Sequence, residues 1–460
     1  MSSETGIVPG SFRDPSGFLF RDGGVLYRQV NRVYQEHYER LMSSGLYVDL
    51  VDAGLLIPHG EADLAGPRPD ESLLVIEPDV VEFISYPYEW CFSQLKDAAL
   101  ATLEIQKRAL AHGMSLKDAS AYNIQFVQGK PVMIDTLSFE KYEEGRPWVA
   151  YGQFCRHFFA PLALMSYRDI RLGQLSRVHI DGVPLDLATS LLPFRTRLRP
   201  STLIHLHLHA RSDTHYSEKQ VDPEKLRGVS LRSLEGLVDN LSSGIKRLRW
   251  KPSGTEWAEY YGETNYSEAS FEQKKNVVAD YLDKIKPESV WDLGANTGVF
   301  SALAGATGAS TVSMDVDPAC VEKCYLEFSG NSSGDVLPLL VDLFNPSPAI
   351  GWECSERMSI LERGFPQVAL ALALVHHLAI SNNVPLEKIA DFFAGLCQYL
   401  VIEFVPKSDS QVQWLLATRE DIFDDYDRES FEREFAKRFD LLDSVDLESS
   451  SRTLYLMKKK

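Results

Sequence analysis

Hydrophobic positions along this chain fall into two regimes, and the change between them marks its organisation. The first half mixes helical and strand spacing without a regular order. After an irregular entry over 1–24, rich in Gly, Ser, Pro and Asp, the residues Val30, Val33, Tyr34, Tyr38 and Leu41 recur at helical spacing and predict one amphipathic helix over Val25–Ser43. A turn-rich stretch from Gly60 to Glu71 precedes two predicted strands, Ser72–Ile76 and Val80–Ser85. Pro87 to Trp90 breaks the pattern, and a long helix is expected from about Ser93 to His112, with Gly113 as its stop. Ser115 to Phe126 then reads as a loop entering a β-hairpin that turns at Gly129 and ends in Asp135.

From Trp148 to Leu172 aromatic and apolar residues dominate, as buried helices require. Phe194 to Arg211 carries Arg195, Arg197, Arg199 and Arg211, with His205, His207 and His209 alternating with leucines. On a strand the histidines would share a face and offer a metal site; on a helix they fan apart. The arginines offer an anionic patch, and a solvated polar face is the plainer alternative. Leu231 to Leu248 is an amphipathic helix, followed by the linker-like Lys251-Pro252-Ser253-Gly254.

Beyond that point helices and strands alternate. A helix is expected over Phe271–Ile285, then a strand at Ser289–Trp291, a helix from Val299, and strands at 311–315 and Val336–Val341. A proline-rich loop, Asn345 to Pro348, and a polar helix over Ser355–Arg363 follow. Val368–Val375 is a continuous apolar run suited to a central parallel strand, and Tyr399–Phe404 is another. The tail, Arg438 to Lys458, predicts two strands around Ser449–Ser451. Such alternation predicts an α/β fold with a largely parallel sheet.

At 460 residues the chain is long enough for two or three domains. Its 44% hydrophobic and 24% charged content is that of a globular protein, and a net charge of −18 argues against a large nucleic-acid footprint. The six cysteines form no C-x-x-C pair, which fits a reducing compartment better than a disulfide framework. Cys320 and Cys324 lie one helical turn apart and read as helix packing, not as a metal site. The start Met1 to Thr5 lacks the basic residues and apolar core of a signal peptide, and the apolar run at Val368–Val375 is too short to span a bilayer. A cytoplasmic protein with no membrane span is the expectation.

The candidate chemistry centres on Val290-Trp291-Asp292-Leu293-Gly294-Ala295-Asn296-Thr297-Gly298-Val299-Phe300, a strand, a glycine-bracketed turn and a helix start. The two glycines permit a tight turn and close approach of a ligand to the backbone. The spacing is D-x-G-x-x-x-G, not the G-x-G-x-x-G that seats a pyrophosphate. Asp292 would repel a pyrophosphate and suits a ligand carrying an ammonium and a sulfonium. Asp315, about twenty residues past the turn, is placed to accept ribose hydroxyls. Asp342 ends the third strand, where it could accept from an adenine amino group.

These three motifs, in this order, resemble the class I S-adenosylmethionine-dependent methyltransferases, over roughly residues 255 to 460. The resemblance implies a Rossmann-like seven-stranded sheet whose last strand is antiparallel, with S-adenosylmethionine as cofactor. It also implies a methionine part bordered by Asp292 and Gly294, a ribose on Asp315 and an adenine near Asp342, with Asn296, Gly298 and Val316 completing the cofactor set. Segments just before the first strand of such enzymes often fold over the cofactor, so Tyr260, Tyr261, Tyr266 and Lys274 are lid candidates, with ordinary packing as the alternative. Asn345 to Trp352 and Ala371 to Leu378 are similar to bacterial methyltransferase-like proteins associated with modification of saccharides or signalling molecules, rhizobial nodulation proteins among them.

Asp118, Asn123 and Asp135 have the spacing of the catalytic-loop pair D-x-x-x-x-N and the following metal-binding acid of kinases. Residues 70 to 170 resemble the C-lobe of kinase-like phosphotransferases, which implies an α+β domain and a possible ATP and magnesium site. The departures are that no His-Arg precedes Asp118, that Thr136-Leu137 stands where Phe-Gly would follow, and that no glycine-rich loop or clear V-A-I-K lysine precedes it. A hairpin whose polar residues cap turns is the bland reading.

The expected organisation is therefore a kinase-like α+β domain over 1–228 that binds the acceptor or a partner, a helical linker over 229–254, and the methyltransferase domain over 255–460. Methyl transfer is an in-line displacement that needs alignment and, for a hydroxyl or protonated amine acceptor, a base. His376, His377 and Glu403, at the ends of the fourth and fifth strands, are the candidate bases, with a structural role for the paired histidines as the alternative. The favoured acceptor is a small molecule or saccharide. A bifunctional kinase and methyltransferase, and a binding module without chemistry, are the competing readings.

Overall fold

The computed structural model describes residues 6–216, 228–253, 268–329, 334–417 and 419–460. The chain forms two compact units, Met1–Lys251 with Ala349–Met358, and Pro252–Pro348 with Ser359–Lys460. Among the described residues no helix is long and apolar enough to cross a membrane, and none of the six cysteines is in a disulfide.

The first unit begins with five antiparallel strands, β1 (Gly6–Ile7), β2 (Gly17–Asp22), β3 (Val25–Asn31), β4 (His59–Ala62) and β5 (Ser72–Pro78), in the order β1-β2-β3-β5-β4. Two predicted elements change here. The expected irregular entry contains β1 and β2, and the expected helix over Val25–Ser43 is a strand followed by a helix at Gln35–Ser43. The reason is the Gly23-Gly24 turn. Both glycines have positive φ, +56 and +88, which closes a two-residue hairpin and draws Val25–Asn31 into the sheet. Val33, counted toward the helical stripe, is exposed. The expected strand Val80–Ser85 is irregular, and the Ser85 backbone N–H is taken by the Gln125 side chain at 2.8 Å.

Phe92–Ala111 is the long helix of this unit, stopped at Gly113 with φ +72. Short ladders follow: β6 (Met114–Leu116) pairs with β9 (Phe139–Lys141), and β7 (Ile124–Val127) forms the expected hairpin with β8 (Lys130–Met133). The helix Leu231–Arg247, expected within a linker, buries Leu234, Val238, Leu241 and Ile245 and is a packed element of this unit. The histidines at 205, 207 and 209 lie on a helical stretch and are held by neighbouring side chains. His205 bonds Tyr151 and Asn240, His207 bonds Thr196, and His209 stacks on Tyr151.

Segment Ala349–Met358 belongs to this unit too. Glu356 accepts from Arg13 at 2.8 Å, the Met358 N–H donates to Tyr86 Oη at 2.8 Å, and the Arg357 guanidinium lies over the Tyr122 ring. The expected polar helix over Ser355–Arg363 does not form; only short turns at Trp352–Cys354 and Ile360–Glu362 occur. The backbone there is committed elsewhere, with Arg357 N donating to the Ile350 carbonyl, Met358 N to Tyr86 Oη and Ile360 N to the Ser347 carbonyl, so the helical ladder cannot form.

The second unit is built on seven strands: β10 (Ser289–Leu293), β11 (Ser310–Asp315), β12 (Val336–Leu340), β13 (Val368–Ala371), β14 (Tyr399–Phe404), β15 (Phe439–Asp446) and β16 (Thr453–Lys459). Their order is β12-β11-β10-β13-β14-β16-β15. The first five are parallel, and β16 runs antiparallel to both β14 and β15. This is the seven-stranded Rossmann-like sheet expected from the sequence, with the antiparallel closing hairpin expected from the tail. Its core packs Val290, Phe300, Leu370, Val401 and Leu454 with the helix residues Val278 and Leu282.

Because β10 pairs with both β11 and β13, the chain reverses direction of growth there, and a crevice opens at the carboxyl ends of these strands. The apolar run Val368–Val375 supplies only a four-residue strand. Ala373, with φ of 52°, turns the backbone away, so Leu372, Ala373 and Leu374 line that crevice instead of extending the sheet.

Candidate functional site

A cavity of about 320 Å³ lies in the crevice, lined by Asp292, Gly294, Asn296, Asp315 and Val316 on one side and by Leu374, His377 and Asn382 among others opposite. Strand β10 delivers Asp292 with its carboxylate accepting from Ser301 Oγ at 2.7 Å. The turn after it is tied to the next strand, since Gly294 N and Ala295 N both donate to the Met314 carbonyl, at 2.9 and 3.0 Å. Asp315 then anchors the turn from the side. Its Oδ2 accepts from Asn296 N at 2.7 Å and its Oδ1 from Asp317 N at 2.8 Å.

Burial pushes both carboxyls up to about 6. The Ser301 bond opposes the shift at Asp292, and backbone N–H groups from Asp317 and Asn296 oppose it at Asp315. A carboxylate oxygen accepts more than one hydrogen bond, so Asp315 keeps acceptor capacity after binding the backbone.

Two expected cofactor residues stand elsewhere. Gly298 is not on the cavity wall. Its φ of +85 starts the helix Val299–Ala306, and a Cβ there would meet Cys324 Sγ at 2.5 Å, so this glycine serves the turn and the packing. Asp342 is exposed, accepts from Phe344 N at 2.8 Å, and does not line the cavity either. Two of the three strand-end acids, Asp292 and Asp315, thus share one hollow.

The three candidate bases separate in the same way. His377 lines the cavity, and burial lowers its pKa to about 4, leaving it a neutral imidazole at physiological pH. His376 is buried beside it with ring centroids 4.1 Å apart, and its Nδ1 has no hydrogen-bond partner among the described residues. Glu403 is wholly buried and absent from the wall. Lys274 Nζ donates to it at 2.7 Å, and Arg452 Nη1 lies 3.9 Å away. Arg452 in turn makes two bonds to Asp409, at 2.7 and 3.1 Å. A carboxylate so held is an ion-pair partner, not a base facing a substrate.

In the first unit, Ser138 joins Asn123 to Asp135, and Asp118 lies close to both. Asn123 Nδ2 donates to Ser138 Oγ at 3.1 Å, and Ser138 Oγ donates to Asp135 at 2.6 Å. Asp118 accepts from Ser120 N at 2.9 Å, and burial raises its pKa against that bond. Arg28 Nη1, from β3, sits 2.5 Å from Asp135 Oδ1.

No family model matches the chain. It is 34% identical over 464 residues to the nodulation protein NoeA of Rhizobium meliloti (strain 1021), an alignment that spans 99% of this chain and 96% of that protein. The chain belongs to the NoeA family. Among solved structures it is similar to the N-methyltransferase NodS from Bradyrhizobium japonicum WM9, at 10% identity and a TM-score of 0.33 over 42% of this chain and 98% of that one. It is also similar to the magnesium protoporphyrin IX methyltransferase from Synechocystis PCC 6803, at 17% identity and a TM-score of 0.31 over 44% and 89%. The bifunctional kinase-methyltransferase WbdD gives 16% identity and a TM-score of 0.32 over 45% and 43%.

In this NoeA-family chain several wall residues escaped the sequence reading. Phe271 and Lys274 come from the helix Glu268–Ile285, and Ser381 and Asn382 from the turn after His377. Lys274 stood out only as a lid candidate. The signal was there: it falls on the buried stripe Ser270, Lys274, Val278 and Tyr281, where a lysine is out of place unless paired. Arg419 carried no sequence signal; it holds the 380–383 turn by bonds to the carbonyls of Ile380 and Ser381 and to Asn383. Tyr260, Tyr261 and Tyr266 lie outside the described residues.

Proposed function

We propose that this protein is an S-adenosylmethionine-dependent methyltransferase acting on a small-molecule or saccharide acceptor in the cytoplasm, with residues 255–460 as the methyltransferase domain. The observation that carries this reading is the single cavity at the ends of β10, β11 and β13 in which Asp292 and Asp315 meet a side-chain-poor turn at Gly294. The donor set fits the cofactor. Asp315 has acceptor capacity for vicinal hydroxyls, Asp292 suits an ammonium, and the apolar Leu372 and Leu374 suit a thioether and a nucleoside face.

Bound S-adenosylmethionine supplies an electrophilic methyl group on a sulfonium. The residues of this chain hold and align the reactants. Asp292 and Asp315 fix the two ends of the nucleoside amino acid, and the 372–374 and 381–382 segments wall off water. His377, neutral and on the wall, is placed to accept a hydrogen bond from a hydroxyl or neutral amine acceptor and to take its proton as methyl transfer makes that group acidic; the His376 ring packs against it. Calorimetry with S-adenosylhomocysteine on the parent and on Asp315→Ala tests the reading. Tight binding to the parent and a large loss in the variant support it, and a parent that binds nothing removes it.

The first unit, residues 1–228 with the helix region 229–254, is read as a kinase-like α+β domain that helps select the acceptor. The order β1-β2-β3-β5-β4 ahead of a long helix, and the Asp118, Asn123 and Asp135 cluster behind it, support that reading. The alternative of a bifunctional kinase and methyltransferase requires Asp135 to exchange Arg28 for magnesium. The Arg28 ion pair favours a non-catalytic unit. Magnesium-dependent ATP binding that disappears in Asp135→Ala would instead favour the kinase.

A further inference from the structure

Lysine is a poor choice for the buried face of a helix, yet Lys274 lies there with its side chain 4% exposed. Lys274 lines the cavity and Glu403 does not, so the pair has its lysine on the cavity side and its carboxylate behind. Glu403 is shared. Arg452 approaches its other oxygen and is itself fixed by two bonds to Asp409. Two cations and two carboxylates therefore run inward from the wall as an alternating chain.

The other ionisable groups on that wall are acids or neutral. Asp292 and Asp315 are carboxyls, and His377 is kept uncharged by burial. Among the described lining residues Lys274 is the one lysine or arginine; burial lowers its pKa, and the adjacent Glu403 carboxylate favours its charged form. A zwitterionic amino-acid group placed among two carboxylates needs a positive partner for its own carboxylate, and an ammonium offers three N–H donors. Asp292, close enough to Lys274 to feel its charge, is the matching partner for the amino group.

We infer that Lys274 receives the α-carboxylate of the cofactor's amino-acid end, and that the Glu403–Arg452–Asp409 chain holds the lysine in place for it. This rests on the methyltransferase reading and adds to it a residue that reads the carboxylate. It also gives Glu403 a role: a positioning residue acting through Lys274.

The test is calorimetric titration of the full chain with S-adenosylhomocysteine and with the analogue that lacks only the carboxyl group. The parent should prefer the carboxylate ligand by roughly ten- to a hundredfold, the size of a hydrogen bond to a charged group. Lys274→Met combined with Glu403→Gln, which removes the pair without stranding a buried charge, should abolish that preference while still binding the carboxyl-less analogue as the parent does. If the double variant does not fold, Lys274→Gln alone takes its place, with the same loss expected. A variant that keeps the full preference overturns the inference. A parent that binds both ligands equally overturns it and leaves the methyltransferase reading standing, whereas a parent that binds neither removes both.

Discussion

Arg28 Nη1 lies 2.5 Å from Asp135 Oδ1, and Ser138 Oγ donates to the other carboxylate oxygen at 2.6 Å. Every strong interaction of the acid that a kinase would give to magnesium is thus made within the protein. The arginine comes from β3 and the aspartate from the turn after β8, so the pair ties the five-stranded sheet to the hairpin region.

Burial pushes the Asp135 carboxyl up, but Arg28, Ser138 and the Leu137 N–H outweigh it and its pKa is lowered. A depressed carboxylate contributes stability that is fully present above its unfolded value of about 3.9 and is lost as pH falls through the folded value. Asp135→Asn should therefore cost about 1–3 kcal/mol at neutral pH, and denaturant melts should show the gap to the parent closing in acid. A gap that stays constant down to the acid limit would count against the ion pair.

Asp292 and Asp315 behave in the opposite sense. Both are raised to about 6, so the folded chain holds protons there that the unfolded chain has already lost. Without ligand, these sites should lower stability as pH rises from the ordinary carboxylate range to about 6. Asp315→Asn should flatten that slope. In the parent, affinity for S-adenosylhomocysteine should weaken below about pH 6, because a protonated Asp315 is a poorer acceptor for hydroxyls. Calorimetry across pH checks the second effect and melting curves the first.

Asp315 and Asp342 should part company in binding. Asp315 lines the cavity, while Asp342 is exposed and caps the turn at Phe344. Asp315→Asn is expected to reduce affinity for S-adenosylhomocysteine by at least roughly tenfold, and Asp342→Asn to change it little. Equal losses would return Asp342 to the adenine site.

Gly298→Ala should damage the fold before it damages the chemistry. The residue adopts a φ of +85, and its new methyl would lie 2.5 Å from Cys324 Sγ. The expected destabilisation is about 1–3 kcal/mol from backbone strain and overpacking, seen as a lower melting temperature. Gly294, with a φ of +76 but a Cβ that would meet Leu374 only at 3.4 Å, should show backbone strain without overpacking and lose ligand affinity besides.

Much of the second unit could be read from local pattern. Strand-forming runs at Ser289, Ser310, Val336 and Tyr399, the D-x-G-x-x-x-G turn and the paired tail strands all formed near their expected places. The first unit was less legible. A helical spacing spanning Val30 to Leu41 masked the Gly23-Gly24 turn, and only pairing with β2 and β5 made Val25–Asn31 a strand. Glu403 looked like a base because it ends a strand, where ligands gather; its side chain instead meets Lys274 from 129 residues earlier.

The order of apolar runs, glycines and strand-end acids by itself determined a seven-stranded α/β unit and the position of its glycine-bracketed turn, because both depend on neighbours along the chain. Which acids share a hollow, which histidine reaches it and which charges cancel were decided only by the tertiary structure. Those outcomes depend on residues far apart in sequence approaching to within a few ångströms, and on burial, which moves a carboxyl or an imidazole far from the value its sequence neighbours would suggest.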